Sequence, residues 1–286
     1  MSTFTSPTTL AQALVSATTF IGDAVVNKPW APINPEQKHF IETIFPDYVT
    51  ELAKISGLEG RADHDVEAIN AWLRERGFDI ELDPSKDPDD FAVAAISDIT
   101  VEWQDEAKVT SLSLQDDYPA FIVGSGVKLY SISDRFAPLI QIATKSGDIV
   151  YIREESAPRD WAELLADVAL VRASRRDRRA PFERVVLPMV SAKHQPDVSW
   201  LCGLRLGQRY ISQAVQEVRF AMNEHGARAK EATAAMVSKG MSAPPPTYEV
   251  NRDFLIYIIR PGVAVPIFQA YITRDDWKNP GDLSNL

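Results

Sequence analysis

The chain has 286 residues, 45% of them hydrophobic, and a formal charge of 30 − 40 = −10. That balance supports a folded core and speaks against a nucleic-acid or anionic-membrane binder, since both need a positive surface. A single cysteine, Cys202, excludes an internal disulfide framework and fits a reducing, cytoplasmic setting. The start MSTFTSPTTL lacks a signal peptide's basic and apolar blocks, and no apolar run nears the ~18 residues of a membrane span.

In chain order, SPTTLAQALVSATTFI reads as a helix, with Ser6 or Thr8 as N-cap and Pro7 suited to its first turn. Phe40, Ile41, Ile44 and Phe45 recur at helical spacing and predict a second helix, stopped by Pro46. HDVEAINAWLRERGF is a third, with Val66, Ile69 and Leu73 on one stripe and Gly77 as its break. FAVAAISDITVEW (91–103), GVKLYSIS, PLIQIAT and GDIVYIRE are strand-like, and Trp161–Leu170 is helical. The basic knot RRDRR (175–179) reads as a solvated connection rather than a polyanion site, given the net acidity. FERVVLPMV is a strand, WLCGLRLG a short helix or turn, and QEVRFAM and FLIYIIR are buried strands. Helices and strands without βαβ alternation predict an α+β fold of mostly antiparallel sheets, in a single domain over 1–286.

Templates for catalysis fail. The sequence has no GxSxG elbow, HExxH or phosphate loop, and IVGSGV (122–127) has its glycines in the wrong pattern. His39, His64, His194 and His225 are scattered without metal-ligand spacing, and Cys202 in WLCGL reads as a buried structural thiol. Asp116 and Asp117 read as a solvated loop. No cofactor, metal or enzymatic activity is expected.

The stretch NEHGARAKEATAAMVSKGMSAPPP (223–246) fits no regular element. It is too small and charged for a core strand, lies between two apolar strands, and closes on three prolines. Here the chain resembles the serpins. QEVRFAMNEHGARAKEATAAM is similar to the serpin strand that runs into the reactive-loop hinge, through Glu224, Gly226 and the small residues that follow. FLIYIIRPGVAVPIFQAYIT resembles the closing strand pair, with Phe254 and Pro266-Ile267-Phe268 in place. VVLPMVSAKHQPDVSWLCGLRLG is similar to another family segment through Leu187, Pro188 and Gly203, and EAINAWL to a family helix through Ile69, Asn70 and Trp72. The strand ending at Trp103 resembles the one that carries a tryptophan to the top of the main sheet.

The resemblance spans about residues 30–275 and is to an N-terminally shortened, prokaryotic-type member, with SPTTLAQAL as a remnant of the helix beneath the main sheet. It implies three sheets, several helices and an exposed reactive-centre loop over about 226–248. It also implies that a serine protease cuts the loop, that the freed hinge inserts into the main sheet, and that the protease is trapped.

The implied hinge comprises Glu224, Gly226, Ala227, Ala229, Glu231, Ala232 and Thr233. A strand period of two puts Ala227, Ala229, Glu231, Thr233 and Ala235 on the face turned inward, and Arg228, Lys230, Ala232, Ala234 and Met236 outward. Glu231 weighs against insertion, because an unpaired buried charge costs several kcal/mol. So do Ala95 and Gln216, which stand where the family often has an asparagine and a histidine that help the sheet open. The scissile bond falls at Met241–Ser242, or beside Lys239. The alternative is a non-inhibitory binding or structural protein that keeps the fold but not the insertion.

Overall fold

The computed structural model describes residues 2–22, 29–84, 90–97, 99, 101–113, 117–132, 137–158, 160–174, 176–227 and 246–283. Its largest element is an antiparallel sheet of seven strands, in the order Thr3–Thr5, Phe268–Ile272, Phe254–Ile259, Ile149–Glu154, Leu139–Ala143, Val127–Ile132 and Arg176–Arg179. The beginning and end of the chain meet here, with Thr5 opposite Gln269. Thr273 N donates to Ser2 Oγ at 2.8 Å, and the Ser2 hydroxyl and His194 Nε2 both reach the Asp276 carboxylate. A second sheet runs Thr247–Glu249, Arg184–Pro188, Asp117–Val123 and Lys108–Ser113, antiparallel except for its first pair.

The third system is built around the strand Asp90–Ser97. It pairs antiparallel with Leu58–Asp63 on one side and parallel with Arg209–Val215 on the other. FAVAAI is apolar at every position because both faces are covered. Phe91, Val93 and Ala95 pack on helix Pro7–Ile21 through Leu10, Ala13, Leu14 and Ala17. Ala92, Ala94 and Ile96 pack on helix Val66–Glu75 through Ile69 and Leu73. Of the two helices only the second has a side-chain cap, and Ser6 holds the N-cap position of the first without a capping bond. Ser6 precedes Pro7, and Asp65 accepts from Glu67 N at 3.0 Å.

Several local expectations are corrected. Pro46 does not stop its helix. A π-helical turn over Phe40–Ile44 lets Phe45 N reach back to Phe40 O, and Pro46 enters at the start of the next turn, Phe45–Val49, where a missing N–H costs little. FERVVLPMV is two strands in different sheets, Arg184–Pro188 and Val190–His194, parted at Met189. The basic knot is not a plain connection: Arg176–Arg179 forms the edge of the seven-stranded sheet, with a register shift between Arg176 and Arg178. Arginines on an edge strand discourage further pairing, which accounts for charge where a strand would otherwise be apolar. Cys202 is half-buried rather than buried, and burial raises its thiol pKa.

Candidate functional site: the open end of the central sheet

The parallel pairing between the two central strands runs from Tyr210 opposite Asp90 to Val215 opposite Ala94, and ends there. Beyond it the same chain continues as Val218–Met222, which pairs antiparallel with Val190–His194 on its far side. Among the described residues, no strand pairs with the near side of Val218–Met222, nor with Ala95 to Ser97 on the side facing it. The sheet is zipped at one end and open at the other.

A tight turn closes the open end. Asn223 N donates to Gly226 O at 2.9 Å and Gly226 N to Asn223 O at 3.2 Å, so Glu224 and His225 form a two-residue hairpin loop. The chain then runs back along the gap, with Gly226 opposite Glu102 and Ala227 opposite Val101, antiparallel. Asn223 is 2% exposed and holds the turn in place. Its carbonyl also accepts from Trp103 Nε1 at 2.9 Å, its side chain accepts from His225 N at 3.0 Å, and its Nδ2 donates to Gly281 O at 3.1 Å. The Glu224 carbonyl takes Ala107 N at 3.1 Å. Gly226 is required twice over: its φ is +150°, and a Cβ there would stand 2.2 Å from Val101 O.

Both faces of the opening are braced. Beneath it, Gln216 Nε2 donates to Thr9 Oγ1 at 2.5 Å and Ser6 O at 3.3 Å, tying the strand to the helix under the sheet. Above it, the segment after helix Val66–Glu75 crosses to the far strands. Asp79 pairs with Lys193 at 2.6 Å and lies 3.5 Å from Arg219, and Lys193 first, then Arg219, hold its carboxyl below the usual range. Gln213 Oε1 accepts from Asp83 N at 2.8 Å, and Gln213 Nε2 donates to Asp83 O. On the downstream side, Thr247–Glu249 is anchored through Glu154. Its carboxylate accepts from Tyr248 Oη at 2.7 Å and from the backbone N–H groups of Asn251 and Arg252 at 2.7 and 3.0 Å. Burial, then Glu154, raise the Tyr248 pKa.

Of the residues named from the sequence, Glu224, Gly226 and the backbone of Ala227 lie at this turn with Trp103, whereas Ala95 and Gln216 lie at the other end of the opening, next to the last parallel pair. Ala229, Glu231, Ala232, Thr233, Lys239, Met241 and Ser242 lie outside the described residues. Sequence reasoning did not find Asn223, Asp79 or Glu154. NEHG, an Asn and a Gly around two residues between strand and loop, was the available signal for the turn. The other two act through contacts far apart in sequence. Among the described residues no cluster of His, Cys, Asp and Glu is arranged to hold a metal, and no helix is long and apolar enough to cross a membrane.

An open main sheet with a tight turn at its mouth, a helix beneath, another across its front, and two further sheets make up the serpin fold, and this chain has that fold. It aligns with mouse protein-Z dependent protease inhibitor at a TM-score of 0.58 and 12% identity, covering 95% of this chain and 90% of that one. Serpin48 of the insect Tenebrio molitor aligns at 0.54 and 15%, covering 95% and 91%. Human thyroxine-binding globulin, solved in complex with thyroxine, aligns at 0.55 and 9%, covering 95% and 91%. No family model and no curated protein matches the sequence.

Proposed function

We propose that the protein is a suicide-substrate inhibitor of a serine protease, with the segment 228–245 as bait and the open sheet as the trap. The solved neighbours include both a protease inhibitor and a thyroxine-binding globulin, so the fold favours neither role. The observation that carries the proposal is the hinge: Gly226 and Ala227 already run antiparallel along Glu102 and Val101, between strands that have unused edges beyond Ala94 and Val215. Unpaired strand edges are templates for an added strand. A cut near Lys239 or Met241–Ser242 frees the arm that follows Ala227 to continue along the path its first residues take. The register also supports the odd-numbered residues as the inward set, because Ala227 stands opposite Val101, which is 1% exposed.

The second reading, a binding protein that does not insert, draws on the braces. Gln216 ties the strand to Ser6 and Thr9, and Asp79 and Asp83 tie the covering segment to the strands that must part. Incubation with trypsin, chymotrypsin and elastase, read on a denaturing gel, separates the two. An SDS-stable complex with one of them is expected for the inhibitor. Cleavage without complex by all three, at bonds between 237 and 243, supports the second reading.

A further inference from the structure

Away from the central sheet, three strands of the seven-stranded sheet end together, with Glu154, Phe254 and Ile272 side by side in register. Just beyond them lies an open cleft of about 290 Å³, lined by Glu155, Arg252, Asp253, Tyr271 and Arg274. Its size is close to the ~300 Å³ lower bound of ligand pockets, but such pockets are mostly apolar. Here four of the five lining residues carry charge, two of each sign.

The acidic side is fixed from within the protein. Asp253 Oδ1 accepts from Arg274 N at 3.1 Å, and the buried Tyr271 hydroxyl bonds to the Asp253 side chain. Glu155 lies 3.5 Å from Arg153, which is 3% exposed. A carboxylate accepts several hydrogen bonds, so Asp253 retains room for another donor. On the basic side, Arg274 donates to Asn251 O at 2.6 Å and lies over Trp277 at 5.6 Å, with the remaining donors of its fork open. Arg252 is exposed, and among the described residues no hydrogen bond or ion pair engages its guanidinium. Its backbone is nevertheless anchored, because its N–H donates to Glu154 at 3.0 Å.

A ligand with negative charge alone would face Asp253 and Glu155 as well as the chain's net charge of −10. One with positive charge alone would face two guanidinium groups. A molecule carrying a carboxylate next to an ammonium group satisfies both sides. We propose that the cleft binds a zwitterion of the amino-acid class. Its carboxylate is taken by the fork of Arg252 beside Arg274, the geometry in which arginine binds carboxylates best, and its ammonium by Asp253 with Glu155. The proposal does not depend on protease trapping or on movement of the central sheet.

The test is titration of the full-length protein with L-alanine at neutral pH and fixed ionic strength. Propionate and ethylamine, each of which lacks one of the two charged groups, are titrated in parallel. The readouts are the backbone amides of Arg252, Asp253 and Arg274 and the Trp277 indole in the ¹⁵N spectrum. Alanine is expected to move these signals together to saturation and to bind roughly tenfold or more tighter than either half. Arg252→Gln removes a side chain without an internal partner, so the thermal midpoint should hold while alanine binding falls roughly tenfold or more. Asp253→Asn keeps an acceptor for Arg274 N and should weaken alanine similarly, with Glu155→Gln reading the acidic side should Asp253→Asn not fold. Propionate binding as tightly as alanine overturns the zwitterion assignment. No shifts with alanine, or equal shifts in Arg252→Gln, overturn the site itself. Neither result bears on the protease complex, which is read separately on the gel.

Discussion

Replacing Gly226 by alanine strikes the hinge where it enters the sheet. The added Cβ would lie 2.2 Å from Val101 O and 3.0 Å from Glu102 Cα, at a φ of +150°. All the blocking atoms are backbone, so no rotamer change relieves the contact and the hinge must leave the gap. The cost is capped by what its pairing contributes. Two turn bonds to Asn223 and the two-residue pairing with Val101 and Glu102 are lost, each bond a net ~1 kcal/mol, giving about 3 kcal/mol and a fall of roughly 6–12 °C. The readout is the Trp103 indole N–H, which donates to the Asn223 carbonyl inside that turn. In the ¹⁵N spectrum of the six tryptophan side chains, Trp103 should shift and exchange faster while the others hold. Gly147→Ala is the control: Gly147 has φ +86° but nothing within 4 Å of its Cβ, so it meets backbone strain without a clash and leaves Trp103 unmoved. An unmoved Trp103 signal in Gly226→Ala would refute the reasoning.

Trp103→Phe keeps the stacking on Phe121, whose ring centroid lies 5.9 Å away, but removes the donor to Asn223 O; a loss of about 1–2 kcal/mol in denaturant unfolding is expected. Glu154→Ala removes the acceptor for Tyr248 Oη and two backbone N–H groups, and should cost about 2–4 kcal/mol and open new protease cuts within 246–252. Tyr271 is pushed up to about 12, first by burial and then by Asp253 and Glu155. Its contribution is therefore fully present below pH 10 and lost as pH rises through 12, because the unfolded phenol ionises first. Alkaline melts should show that loss in wild type and less of it in Tyr271→Phe.

The parts legible in the sequence are those whose physics is local. Gly77 ends a helix through a positive φ of 79°. FAVAAI shows a strand buried on both faces, and Gly226 marks a joint at which a side chain cannot fit. The illegible parts depend on partners distant in the chain. LEGRAD, half polar, becomes the strand Leu58–Asp63 because Asp90–Ser97 needs a neighbour. The basic knot becomes a strand through backbone pairing with Val127–Ile132, to which its side chains give no apolar pattern. Pro46 misleads because the π-helical turn before it removes the conflict that normally ends a helix. At the site, the glycine and tryptophan were visible, but Asn223, Asp79 and Glu154 are polar residues whose roles exist only once the strands are placed.

Insertion of the cut arm into the central sheet is tested most directly by hydrogen exchange on the intact and singly cut protein, compared peptide by peptide. The account predicts that residues 227–236 become strongly protected after the cut, together with the amides of 95–102 and 216–222 that face the gap. Rapid exchange of 227–236 in both forms, with unchanged protection along Val218–Met222, would contradict it.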